Sequence, residues 1–327
     1  MRVVENRPSI WVGAGTQFAA RGRRRNREAR KKNLAARGVC RAARPAHPFQ
    51  AASASLAVLT LPQGLLPRAR AAEFTTTAGG ARRSSGDGDP AQLAVPELAP
   101  GSRRLYLCRH GETDWNVAGR VQGMTDIPLN PNGRSQAAAL AAILADVPIG
   151  LVASSALGRA SSTADAVAAL HPGARRLVDA SFNEMNFGSL EGEELRGGSP
   201  RREEYEARLA EWEAGRTSVR LPGGGESPEE VAARALKGLR ELGALPPLAA
   251  AAGGAGVPSC PRHVCLVAHG RFNKILLAAL RGDVSRASQV AQGNTAVNIV
   301  DIDEGGACTV VAVNLLDHLR AAAQPPA

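Results

Sequence analysis

LYLCRHGETDWNVAGRVQG, residues 105–123, begins as a short apolar run of strand type and stops at an arginine, a histidine and a glycine. A carboxylate and a hydroxyl follow directly. A strand that ends in charged groups delivers them to the edge of a sheet, where a ligand can reach them. Two later segments repeat the pattern. A strand at 150–153 runs into Ser154 and Ser155 and leads to Arg159, and a third at 263–268, HVCLVA, ends in His269 and Gly270. In an open parallel sheet such carboxyl ends converge on one crevice. Two histidines, two arginines and helix N-termini meeting there suit a dianion: the guanidinium fork matches phosphate oxygens, and helix N-termini add backbone donors. The predicted ligand is a phosphate.

Working outward, strand-like and helix-like segments alternate from residue 103 onward. A helix is expected over 135–146, with the stripe Ala137, Leu140, Ile143 and Leu144. PLNPNG before it reads as a turn in which Gly133 takes a positive φ. The helix after Ser155 carries Ala160, Ala164 and Val167 on one face, and another helix is expected over 272–280. Strands at 296–302 and 308–313 flank DEGG, a hairpin-type turn. Residues 199–215 form a charged helical insertion with Tyr205, Leu209 and Trp212 at helical spacing, and a further helix begins at Ser227, capped with Glu230 three residues on. The expected fold is α/β, a three-layer α/β/α sandwich with a mainly parallel central sheet and a short helical cap insertion.

The charge of the chain is divided unevenly. The formal net charge of the 327 residues is +10, but residues 1–72 hold 15 Lys and Arg against two acids, leaving 25 basic against 28 acidic residues in the rest. The basic excess therefore belongs to the leader. Residues 1–101, rich in Ala, Arg, Ser and Pro, read as an organelle transit peptide plus linker, with a catalytic domain over 102–327. A plastid is favoured over a mitochondrion, and a cytoplasmic location follows if the leader is instead a basic arm or a gene-model artefact. No apolar stretch reaches the ~18–20 residues of a membrane span, so no membrane partner is expected. Aromatics make up 3% of the chain, too few for a nucleic-acid stacking platform. The five cysteines are scattered without a C-x-x-C, which argues against disulfides and zinc; Cys108 and Cys265 read as small buried side chains. A homodimer is left open.

RHGETDWN with GRVQGMTDIPLNPNG, then SSALGRASSTA, NEMNFGSLEG and VAHG, closely resemble in order the signature blocks of the histidine phosphatase superfamily, also called the phosphoglycerate mutase-like family. The resemblance covers residues 105–319. It implies that His110 is the nucleophile that becomes phosphohistidine, and that Arg109, Arg159 and His269 hold the equatorial phosphoryl oxygens. Gly111 is expected to let the backbone approach the phosphoryl group. Asn116 and Thr113 match contact positions, with Gln122, Gly123 and Gly270 beside them in the same blocks. Glu184 matches the proton donor, which needs a raised pKa supplied by burial near Met185 and Phe187. Glu191 is a competing carboxylate in a block where the second acid is structural, and His318 matches a structural position. The mechanism the resemblance implies needs no metal and no cofactor.

The family holds hydrolases and mutases. FGSLEGEELRGG lacks the lysine-containing stretch of mutases, and no paired-arginine substrate loop follows, so hydrolysis of a small phosphorylated metabolite is favoured. Mutase-type transfer stays open, as does a protein phosphatase using the same centre. A non-catalytic binding module fits poorly, because all five catalytic positions are filled. Arg271 departs from the small or aliphatic residues common after the second histidine, and suits a substrate with a second anionic group.

Overall fold

The computed structural model describes residues 93, 95–195, 199–247 and 260–322. The segment read as a transit peptide, with Cys40 and His47, lies outside these residues. Six strands form one sheet in the order β3-β2-β4-β1-β5-β6: β1 (Arg103–Arg109), β2 (Leu151–Ser154), β3 (Arg175–Val178), β4 (His263–Ala268), β5 (Val297–Ile302) and β6 (Cys308–Leu315). Pairings β1/β4, β2/β4 and β2/β3 are parallel, and β5 and β6 join antiparallel.

Alternation along the strands divides the core in two. Leu105 and Leu107 of β1 face one side with Leu151, Ala153 and Leu266, while Tyr106 and Cys108 face the other with Val152, Cys265 and Val267. The first face is covered by α5 (Pro228–Glu241) and α6 (Gly270–Leu280), the second by α2 (Pro131–Leu144) and α3 (Gly158–Ala169). This is the three-layer sandwich. Each buried Leu or Val contributes about 1.5–3 kcal/mol, so central strands apolar on both faces have no stable exposed alternative. The four cysteines at 108, 260, 265 and 308 are free and buried.

Three local expectations need correction. PLNPNG is not a turn with a left-handed Gly133: Asn130 caps α2 by accepting from Gly133 N at 2.7 Å, and Pro131 occupies its first turn. Gly133 is glycine because a Cβ there would strike the Glu112 backbone. The second omission is β3, which is short and exposed at both ends and carries arginines rather than an apolar pattern, as edge strands do. The third is α1 (Asp114–Ala118), a single capped turn inside the opening motif. Packing also begins ahead of residue 102, where Arg104 Nη1 donates to Pro96 O and Arg262 Nη2 to Leu98 O and Ala99 O. The insertion helix, α4 (Pro200–Glu213), packs Trp212 into the core and pairs Arg201 with Glu204 and Arg202 with Glu206 on its solvated side.

Candidate active site

Neighbouring parallel strands set the two histidines side by side. Arg109 is in register with Ala268, so the next residues, His110 and His269, stand abreast, and His110 N donates to Ala268 O at 3.0 Å. Their ring centroids lie 5.2 Å apart. Both rings are buried, and they differ in what their nitrogens touch. His110 Nδ1 lies 2.7 Å from Gly111 O, a group that only accepts, so the neutral ring carries its proton on Nδ1 and its lone pair on Nε2. His269 Nε2 lies 2.8 Å from Ser155 Oγ. That hydroxyl donates to Asn183 Oδ1 at 2.9 Å, so it accepts from His269 and the proton there is on Nε2. Burial, then Arg109 and Arg159, hold His110 well below its ordinary pKa, and burial with Arg159, His110 and Arg109 does the same for His269. Both rings are neutral at pH 7.

Two arginines lie within electrostatic reach of both rings. Arg159, at the start of α3, is buried, with Nη1 donating to Thr125 O at 2.8 Å and Nη2 to Gly123 O at 2.7 Å. Arg109 Nη1 donates to Gln292 O at 2.8 Å. Backbone carbonyls therefore fix both guanidinium planes, and the full forks are not free, as the sequence had suggested. Arg109 Nε, Arg159 Nε and His269 Nδ1 are buried without a hydrogen-bond partner in the protein. Buried polar atoms are rarely left so, and the two unpartnered guanidinium N–H groups mark a site built for an anion; His269 Nδ1, a lone pair in the neutral ring, joins them as a donor only when that ring takes up a second proton.

Glu184 arrives from the chain between β3 and α4. Its Oε1 accepts from Met185 N and Phe272 N, each at 2.8 Å, and its Oε2 from Arg271 N at 3.1 Å. The carboxyl thus caps α6, whose N-cap residue His269 makes no side-chain cap bond. It is buried, as expected, but among backbone N–H groups rather than only beside Met185 and Phe187. Three of its four acceptor directions are used. One on Oε2 remains to exchange a proton.

The other expected contacts divide. Thr113 does not face the site: it is fully buried as the N-cap of α1, and its hydroxyl and N–H both bond Asn116 Oδ1 at 3.1 Å. Asn116 Oδ1 also accepts from Asn294 Nδ2, leaving its own amide donors for a ligand. Gly111 is glycine for a different reason from the one expected, since a Cβ would strike Gly133 O, and its N–H is taken by Thr163 Oγ1. Gly123, at φ +55°, packs against Glu191 and supplies the carbonyl that holds Arg159. Gln122, in the same loop, is buried with Oε1 unpartnered. Gly270 allows Arg109 to lie close, with its ideal Cβ 3.3 Å from Nε. Arg271 donates to the Tyr205 hydroxyl and lies 5.5 Å over that ring, joining α6 to the insertion. Glu191 spends its oxygens on Met124, Thr125 and Phe187, a structural role. His318 bonds Thr295, whose N–H donates to His110 O.

Sequence reading missed three contributors. Asn183 completes the link from His269 through Ser155. Arg234 of α5 donates to the carbonyls of Ser181, Asn183 and Glu184 and pairs with Glu226, fixing the segment that carries the acid. Lys274, one turn into α6, lies within electrostatic reach of Arg109, Arg271 and Glu184. None sits in a strand-end motif, and Asn183, though inside NEMNFGSLEG, is assigned no role there.

The sequence profile of the histidine phosphatase superfamily (branch 1) matches residues 105–315. Phosphoglycerate mutase-like protein 4 of Arabidopsis thaliana is 30% identical over 218 residues, covering 66% of this chain and 86% of that protein. Glucosyl-3-phosphoglycerate phosphatase of Mycobacterium tuberculosis is 40% identical over 179 residues, 55% of this chain and 75% of the relative. The solved structure of mycobacterial glucosyl-3-phosphoglycerate phosphatase with VO3 is similar at a TM-score of 0.54 and 33% identity, covering 65% of this chain and 100% of that one. The paired imidazoles, a register consequence of β1 beside β4, therefore sit in a known frame: the chain belongs to the histidine phosphatase superfamily, branch 1.

Proposed function

We propose that the chain hydrolyses phosphomonoesters of small metabolites in two displacements at His110. In the first, the Nε2 lone pair forms a bond to phosphorus as the ester P–O bond breaks, and protonated Glu184 gives its proton to the departing alkoxide. In the second, water attacks the phosphohistidine, Glu184 takes a proton from it, and the N–P bond breaks to release phosphate. Each cycle returns His110 neutral and Glu184 protonated. Arg109 and Arg159 stabilise the charge that gathers on the equatorial oxygens in both steps, and His269 adds to them when the bound dianion draws a second proton onto Nδ1.

The carrying observation is the pair of buried, unpartnered donors, Arg109 Nε and Arg159 Nε, near a neutral, tautomer-fixed His110. The phosphatase names among the relatives support hydrolysis over transfer. A phosphate-release screen of the full-length protein over sugar phosphates, phosphoglycerates and phosphopeptides, beside His110→Ala, tests it. Loss of the nucleophile should lower kcat by about 10³-fold or more. An equal rate in the variant removes His110 from the mechanism.

A further inference from the structure

α6 shows the crevice only one edge. Gly270, Arg271 and Lys274 are half-buried, whereas 272, 273 and 275–280 are buried. Gly270 lies against Arg109, and Arg271 is turned to Tyr205 of the insertion. Side chains on a helix tilt toward its N-terminus, so the ammonium of Lys274, one turn down, is carried back toward the level of Gly270. Among the described residues Lys274 has neither an ion-pair nor a hydrogen-bond partner, and no acid pairs with Arg271, whose partner is a neutral phenol.

The charged groups facing Lys274 are Arg271 from its own helix, Arg109 from β1 and Glu184 from the segment before α4. The single carboxylate is already bonded to three backbone N–H groups. Arg109 is turned to the phosphoryl site. Arg271 and Lys274 together therefore leave at least one positive charge unmatched, whether or not Glu184 carries its proton, and a carboxylate offsets it where a neutral alcohol does not.

Resting on the phosphatase reading above, we propose that Lys274, with Arg271 held by Tyr205, receives a carboxylate next to the ester, so that the favoured substrates are phosphorylated carboxylic acids. Burial and the two guanidinium groups push the Lys274 amine down to about 8, with Glu184 opposing them. The receptor is charged at pH 7 and fades by pH 9.

The test compares 3-phosphoglycerate with glycerol 3-phosphate, which differ in a carboxylate against a hydroxymethyl group, on the full-length protein. The ratio of their kcat/KM values should favour the acid, fall about tenfold or more in Lys274→Met, and be retained in Lys274→Arg. In the unaltered protein the ratio should fall between pH 7 and 9, and Lys274→Arg should remove that fall. A ratio in Lys274→Met within about twofold of the parent overturns the proposal. Binding of both compounds to His110→Ala, with and without Lys274→Met, gives the same ratio without turnover. If neither compound is hydrolysed, the phosphatase reading fails while binding still decides the role of Lys274.

Discussion

Each imidazole nitrogen at the centre is assigned by its neighbour rather than by its own chemistry. Gly111 O claims the proton on His110 Nδ1, which leaves the lone pair on Nε2, while Ser155 Oγ claims the proton on His269 Nε2. The hydroxyl can act as acceptor there because Asn183 Oδ1 takes its own proton. Ser155→Ala removes that acceptor and leaves a buried N–H unmatched, a loss of about 1–1.5 kcal/mol. The expected outcome is a fall of about tenfold in kcat/KM, measured by steady-state kinetics. An unchanged value would mean that the ring is held by something else. None of this was legible beforehand: Ser155 stood out only as a strand-end residue, and Asn183 lies 28 positions from it. Tautomers depend on contacts between segments.

α6 is the element on which most of the site depends. Its N-terminal N–H groups hold Glu184, its N-cap is His269, and its first residue makes room for Arg109. Gly270 has no left-handed φ, and an alanine there would be the better helix former by about 0.5–1 kcal/mol. Its Cβ would nevertheless stand 3.3 Å from Arg109 Nε and 3.4 Å from Cζ, displacing the guanidinium by a few tenths of an ångström. Gly270→Ala should therefore raise or keep the Tm while lowering kcat/KM about tenfold, read by thermal melts and kinetics on one preparation. A joint fall in both would point to general damage. Element types were largely readable, down to the Ser227–Glu230 capping box of α5, because burial and capping are local patterns. β3 was not. Its exposed arginines carry no apolar alternation, and its pairing with β2 is known only once β2 is in place.

For the whole molecule, the site has a cost that acid should expose. His110 and His269 are held neutral in the fold well below the ordinary value of 6.5. Released by unfolding, each takes up a proton as pH drops below about 6.5, so the unfolded state binds more protons there and stability declines with falling pH. The contribution is fully present above 6.5. It is lost toward the depressed folded values at up to about 1.4 kcal/mol per pH unit for each ring. Melting curves from pH 7.5 to 5.5 should show Tm falling, with a shallower slope in the His110→Asn, His269→Asn double variant; equal slopes would contradict neutral burial of the rings. By itself the sequence determined the layered α/β class and the strand ends that carry Arg109, His110, Ser155 and His269. Those follow from apolar periodicity and from residue types at fixed offsets, which a linear chain displays. Only the tertiary structure decided that Thr113 is a cap, that Gly111 serves helix packing, that Glu184 rests on α6, and that Lys274 stands among the site's cations. Each is a contact between segments distant along the chain, set by sheet register and helix placement, and no local pattern encodes where two such segments meet.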